Sequence, residues 1–142
     1  MRNGVESGKP LTMDDVGNII NPGERLFAYI AFKRNPGLKI VYEPEFFHHN
    51  GADGSQIGTL PDFWVRNPRQ PKSPGIFVEV TRAHRGPIKD PKARQRKVME
   101  LAAPKKRYVV LYGEELDRIE AKHPEVRHIL KNGSQNHDNE TL

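Results

Sequence analysis

The chain has 142 residues, 35% of them hydrophobic and 29% charged, with no cysteine and a formal net charge of +5. That length holds one domain with a real core and is too short for two, and the lack of cysteine excludes a disulfide framework and a thiolate metal site. No apolar run is long enough to cross a bilayer and no charged-then-apolar leader opens the chain, so a soluble intracellular (cytoplasmic) protein is expected.

Residues 1–22 hold Gly, Asn and Pro with few large apolar groups, and read as a flexible arm. Between Glu24 and Arg34, Leu26, Phe27, Ile30 and Ala31 recur at helical spacing, and Asn35-Pro36-Gly37 ends that helix. Lys39 to Phe47 predicts a strand interrupted near Pro44, with Glu43 and Glu45 alternating with apolar neighbours. His48 to Ser55 reads as a polar, Gly-containing loop. Its adjacent His48 and His49 would point to opposite faces of a strand, which makes a poor chelate. Leu60 to Val65 predicts a second strand, with Trp64 expected in the core. Arg66 to Gly75, with three prolines, is a connection. Ile76 to Thr81 is a third strand, apolar at nearly every position except Glu79, as in a strand covered on both faces at a sheet centre.

Asp90-Pro91 offers an N-cap and a first-turn proline to a helix running to about Ala103. Val98, Leu101 and Ala102 mark its inner face, with Arg94 and Gln95 one turn earlier on that side. Arg107 to Tyr112 is a fourth strand, parallel to the third because a helix separates them. Glu114 to Ile119 begins a last helix, resuming as Glu125 to Leu130, and residues 131–142 read as a disordered polar tail. The expectation is one domain over residues 23–130, in the order α-β-β-β-α-β, an α/β sandwich around a central mixed sheet.

Charge is unevenly spread. Residues 82–107 carry ten Lys and Arg against Asp90 and Glu100, a net +8, so the remainder is net −3. A basic band on a slightly acidic body is the electrostatic footprint of a polyanion partner. Arg82, His84, Arg85, Lys89, Lys92, Arg94 and Arg96 are the candidate phosphate contacts. Such contacts supply affinity and salt dependence without reading sequence.

Beside this band stand two carboxylates at the ends of apolar runs, in Pro61-Asp62-Phe63 and Phe77-Val78-Glu79-Val80-Thr81. Neighbouring strands can bring them together at one sheet edge, as a hard divalent cation needs. A carboxylate buried unpaired in an apolar strand costs several kcal/mol, so Glu79 calls for a metal or a basic partner. Glu24 opens the first helix, where a carboxylate also suits the macrodipole.

With Tyr42-Glu43-Pro44-Glu45-Phe46 ahead of Pro61-Asp62-Phe63 and Val78-Glu79-Val80, the order resembles the PD-(D/E)XK, restriction-endonuclease-like nuclease superfamily over about residues 23–119. The pattern is nearest to transposon-endonuclease-subunit and Holliday-junction-resolvase-like members. The resemblance implies Mg²⁺, with Mn²⁺ substituting, held by Asp62 and Glu79 with Glu24 as a third acidic metal-site residue. It also implies a lysine two residues after the Glu, where this chain has Thr81. Threonine is neither a cation nor a base of useful pKa. Some members carry the lysine on the following helix, where Lys92 and Lys97 are available, and Gln95 falls where recombination-type relatives place a helix glutamine.

The implied function is a metal-dependent DNA endonuclease, structure-directed or the cutting subunit of a transposition or defence complex. Its partners would be DNA and a second copy or a partner subunit, with no membrane. The alternative favoured by Thr81 is a catalytically inactive nuclease-fold DNA-binding or scaffold protein. Wide separation of Asp62 and Glu79 would point instead to a basic α/β protein with an RNA or acidic-protein partner.

Overall fold

The computed structural model describes residues 4–87 and 89–125, so the tail 131–142 and nearly all of the resumed helix 125–130 lie outside the described residues. Helix α1 spans Met13–Val16 and α2 spans Pro22–Arg34. Strand β1 is Lys39–Tyr42, β2 Phe47–Asn50, β3 Gln56–Thr59, β4 Phe63–Arg66 and β5 Ile76–Val80. Helix α3, Ala93–Ala102, then precedes β6, Arg107–Leu111, and α4, Gly113–Lys122. Four strands form a mixed sheet in the order β1-β4-β5-β6, antiparallel at the first two joints and parallel at the last, while β2 and β3 form a separate hairpin. The α/β class and the mixed sheet agree with the sequence reading.

Each boundary has a local cause. Asn21 caps α2 by accepting the Glu24 N–H at 3.0 Å, and Pro22 occupies the first turn where its missing N–H costs nothing. Strand β1 stops at Tyr42 because Glu43 takes φ +46°, in the left-handed region, and Pro44 has no N–H for the ladder. The expected strand to Phe47 is therefore divided. The expected loop 48–55 is largely hairpin: β2 pairs with β3 from Phe47↔Thr59 to Asn50↔Gln56. Helix α3 begins two residues later than Asp90-Pro91 indicated. The Asp90 carboxylate accepts the Lys92 N–H at 2.9 Å in a turn ahead of the helix.

Two cores fill the two sides of the sheet. On one, Leu26, Ile30, Tyr42, Phe63, Val78, Val80 and Leu116 pack α2 and α4 against it. Residues 4–22, which read as an arm, bring Val5, Leu11, Val16 and Ile19 into this core, and Pro10 bridges to Val41. On the other side Phe47, Phe77, Val98 and Met99 lock the hairpin and α3 together, with Trp64 half-buried at their border. Leu101, expected on the inner face of α3, is 41% exposed, because Val98 and Met99 take the inward positions.

An apolar groove of about 400 Å³, lined by Phe27, Ile30, Leu38, Ile76, Val109 and Ile119, lies on the α2–α4 side of the sheet. It holds none of the candidate carboxylates.

Candidate active site

Alternation along β5 sends Val78 and Val80 toward α2 and turns Phe77 and Glu79 toward α3. The β4–β5 register pairs Phe63 with Val78, so Asp62, one residue ahead of β4, comes level with Glu79. Its Oδ2 accepts the Val80 N–H at 2.7 Å, which pins the carboxylate across the sheet end. Glu24 reaches the same place from the first turn of α2. Tyr42 donates its hydroxyl to Glu24 Oε1 at 2.8 Å, and the Glu24 and Asp62 carboxyl groups lie near enough to share a proton when one of them is protonated. The three acids singled out in the sequence are therefore neighbours.

Lys92, immediately before α3, completes the group. Its Nζ lies 3.1 Å from Glu79 Oε2, with Glu79 only 5% and the Lys92 side chain 19% exposed. The turn that aims it is held by Asp90, which accepts from the Tyr112 hydroxyl at 2.7 Å and pairs with Arg96 Nε at 3.0 Å. Thr81 does different work: its Oγ1 accepts the Ala83 N–H at 3.1 Å, closing the turn after β5. Gln95 is half-buried and Lys97 exposed, and neither has a side-chain partner among the described residues.

Burial governs the electrostatics. It pushes Asp62 up to about 7, helped by the negative charge of Glu24 and opposed by the Val80 N–H and Lys92. It pushes Glu79 up to about 7, helped by the charge of Asp62 and opposed by Lys92. Glu24 is raised by burial, against the hydrogen bonds from Tyr42 and Asp62. Like charges crowded in a desolvated site titrate as a unit. Glu79 Oε1 and the Tyr108 hydroxyl, both buried, stand on adjacent strands on the same side of the sheet, too far apart for a well-formed hydrogen bond but near enough for Tyr108 to join Lys92 in opposing the rise of Glu79. Buried polar atoms of native proteins nearly always have a good partner, so a carboxylate oxygen with only the distant Tyr108 hydroxyl in an over-acidic pocket fits a cation or an ordered water. Among the described residues no three His, Asp or Glu side chains form a ready group for a metal ion. Two carboxylates with retained waters is the arrangement that Mg²⁺ commonly accepts.

The basic band divides in two. Arg82 pairs with Asp117 and Glu120 at 3.5 Å each, His84 Nε2 lies 3.1 Å from Asp117, and the Arg85 N–H donates to the Glu114 carboxylate. Gly113 permits this close approach. A Cβ there would stand 2.2 Å from the Arg82 carbonyl oxygen, and the Gly113 N–H donates to Ala83 O at 2.9 Å. The Arg85 and Arg96 guanidinium groups each lie 5.7 Å from the centre of the Tyr112 ring. Much of the 82–96 charge is thus met by α4 and by Asp90. Lys89, Arg94 and Lys97 have no ion-pair partner among the described residues. Tyr42, Asp90, Tyr108 and Tyr112 were not singled out in the sequence as site residues. A tyrosine in an apolar strand looks like core, and nothing local marks where its hydroxyl ends.

No protein-family model matches the chain, and neither a curated protein nor a solved structure is significantly similar to it. Among the described residues no helix is long and apolar enough to cross a membrane.

Proposed function

We propose that the protein is a divalent-metal-dependent DNA endonuclease of the restriction-endonuclease-like type. The observation that carries this reading is the Lys92 ammonium 3.1 Å from Glu79, in a buried site shared with Asp62 and Glu24. With α1, the β2–β3 hairpin and α4 set aside, α2, β1, β4, β5, α3 and β6 run α-β-β-β-α-β, with two antiparallel joints and one parallel joint, which supports this reading.

Asp62 and Glu79 are the residues that would hold Mg²⁺ or Mn²⁺, beside Glu24. Such an ion supplies a more acidic bound water and neutralises charge on phosphate oxygens. The chain's own groups do the rest. Lys92 takes the place of the lysine missing at position 81, and its ammonium offsets negative charge building on the reacting phosphate. The Val80 N–H fixes one oxygen of Asp62, and Tyr42 fixes one of Glu24, so neither acid needs to reorganise. Arg94 and Lys97, exposed on α3, hold flanking phosphates. Cutting both strands of a duplex requires a second such site, on another copy or a partner subunit.

The ion pair also favours a second reading, a DNA-binding scaffold in which Lys92 permanently neutralises Glu79. The deciding experiment is cleavage of plasmid, linear, branched and single-stranded DNA in Mg²⁺ or Mn²⁺ by the parent, Asp62→Ala and Glu79→Ala. Metal-dependent cleavage that both substitutions abolish is the expected result. Salt-sensitive binding without cleavage by the parent would remove the nuclease reading and leave the scaffold.

A further inference from the structure

We infer that the outer face of the β2–β3 hairpin, formed by Phe46 and His48, is a stacking platform for an unpaired nucleobase of the DNA substrate. The inference rests on the nucleic-acid reading above and names the kind of DNA the site takes. Phe47 points inward and makes an edge contact with Phe77, so its neighbours on either side point outward. Phe46 is 61% exposed, the most exposed large apolar side chain among the described residues. Its ring lies 6.2 Å from that of His48 at 18°, a near-parallel stack.

Gly58 opposite His48 makes this posture possible. A Cβ at Gly58 would stand 2.3 Å from Phe46 Cζ, with two further ring carbons at 3.0 and 3.1 Å, so the end of the ring rests on bare backbone. The tip of the Phe46 ring is thereby seated on the hairpin while most of the side chain is open to solvent.

Position ties the platform to the carboxylates. The Glu43 N–H donates to Asp62 O at 2.8 Å, and Phe46 follows Glu43 by three residues, a span of at most about 11 Å. The hairpin packs on α3, whose Arg94 and Lys97 can hold the phosphates of the same strand. Two rings are far too small for a protein interface, which needs roughly 800 Å² per partner, but they match the face of one base. Every base has such a face, and a paired duplex hides it except at its ends. The platform therefore favours single-stranded, bubble or branched DNA over continuous duplex.

The test is binding in EDTA, where no cleavage can intervene, of fluorescein-labelled single-stranded, bubble and fully paired DNA. The proteins are the parent, Phe46→Ala, Phe46→Trp and Gly58→Ala, the last of which keeps Phe46 but displaces its ring. Phe46→Ala and Gly58→Ala should weaken binding to single-stranded and bubble DNA about tenfold and leave duplex binding unchanged, and Phe46→Trp should retain affinity. A 2-aminopurine in the bubble should be quenched by the parent and less so by Phe46→Ala. Equal effects on bubble and duplex, or no DNA binding by the parent, would overturn the platform. Discrimination that survives in Asp62→Ala, or in a parent that never cuts, would uphold it independently of the nuclease reading.

Discussion

Glu79 sits in a strand whose neighbours are all apolar, and among the described residues Lys92 supplies the cation that pairs with it. Removing one member of a buried pair leaves the other charge desolvated, at a cost of about 3–5 kcal/mol when burial is complete. Here the lysine is partly exposed and Glu79 already holds its proton up to about pH 7, so the cost depends on pH. Lys92→Met should lose about 2 kcal/mol at pH 8, where Glu79 must either ionise without a partner or take up a proton. At pH 5.5 Glu79 is protonated in parent and variant alike, and the loss should nearly vanish. Urea unfolding at the two pH values checks this, with Lys92→Met/Glu79→Gln expected to recover most of the pH 8 loss. The same loss at both pH values would mean that Lys92 stabilises through its hydrocarbon stem and not through its charge.

The β2–β3 hairpin is anchored chiefly by Phe47, with Ile57 of β3 packed beside it. The Phe47 side chain is buried, meets Phe77 edge-on with ring centres 5.1 Å apart, and joins Val98 and Met99 of α3 in a core separate from the main one. Phe47→Ala should therefore cost about 3 kcal/mol in denaturant unfolding followed by circular dichroism. A loss below about 1 kcal/mol would show that the hairpin does not take part in cooperative folding. Elements long enough to show a period were legible in the sequence: α2 from its apolar spacing, β5 from its continuous apolarity, and β6 from its place after a helix. The hairpin was not, because four-residue strands offer at most two inward positions each, and His48, His49 and Gln56 look like loop. The start of α3 was misplaced for a related reason. Asp90 carries the chemistry of an N-cap but spends its oxygens on the Lys92 N–H, Arg96 and Tyr112. Of the site, Asp62, Glu79, Glu24 and Lys92 could be singled out by residue type and order. The sorting of the basic band could not, since Arg82 and His84 meet acids 33 to 38 residues away on α4.

At the scale of the molecule, the three acids join α2, the entry to β4 and the middle of β5, so their titration acts on the whole fold. An acid whose folded pKa lies above its unfolded value binds its proton more tightly when folded, so the folded chain carries more protons than the unfolded one between the two values. For Asp62 and Glu79 that window runs from ordinary carboxylate values near 4 to about 7. Their contribution to stability is greatest below the window and is lost as pH rises through it, on the order of 3 kcal/mol for the coupled group. Surface pairs such as Arg82–Asp117 act in the opposite sense below pH 4, so the group is isolated by comparison with Asp62→Asn, which should flatten the fall between pH 5 and 8. A divalent cation bound by Asp62 and Glu79 would displace those protons and stabilise by mass action. Millimolar Mg²⁺ should therefore raise the melting temperature at pH 8, do little at pH 5, and do little at either pH in Asp62→Asn. A melting temperature blind to Mg²⁺ at pH 8, with the pH slope intact, would assign the cluster to a lysine-neutralised site that takes no metal.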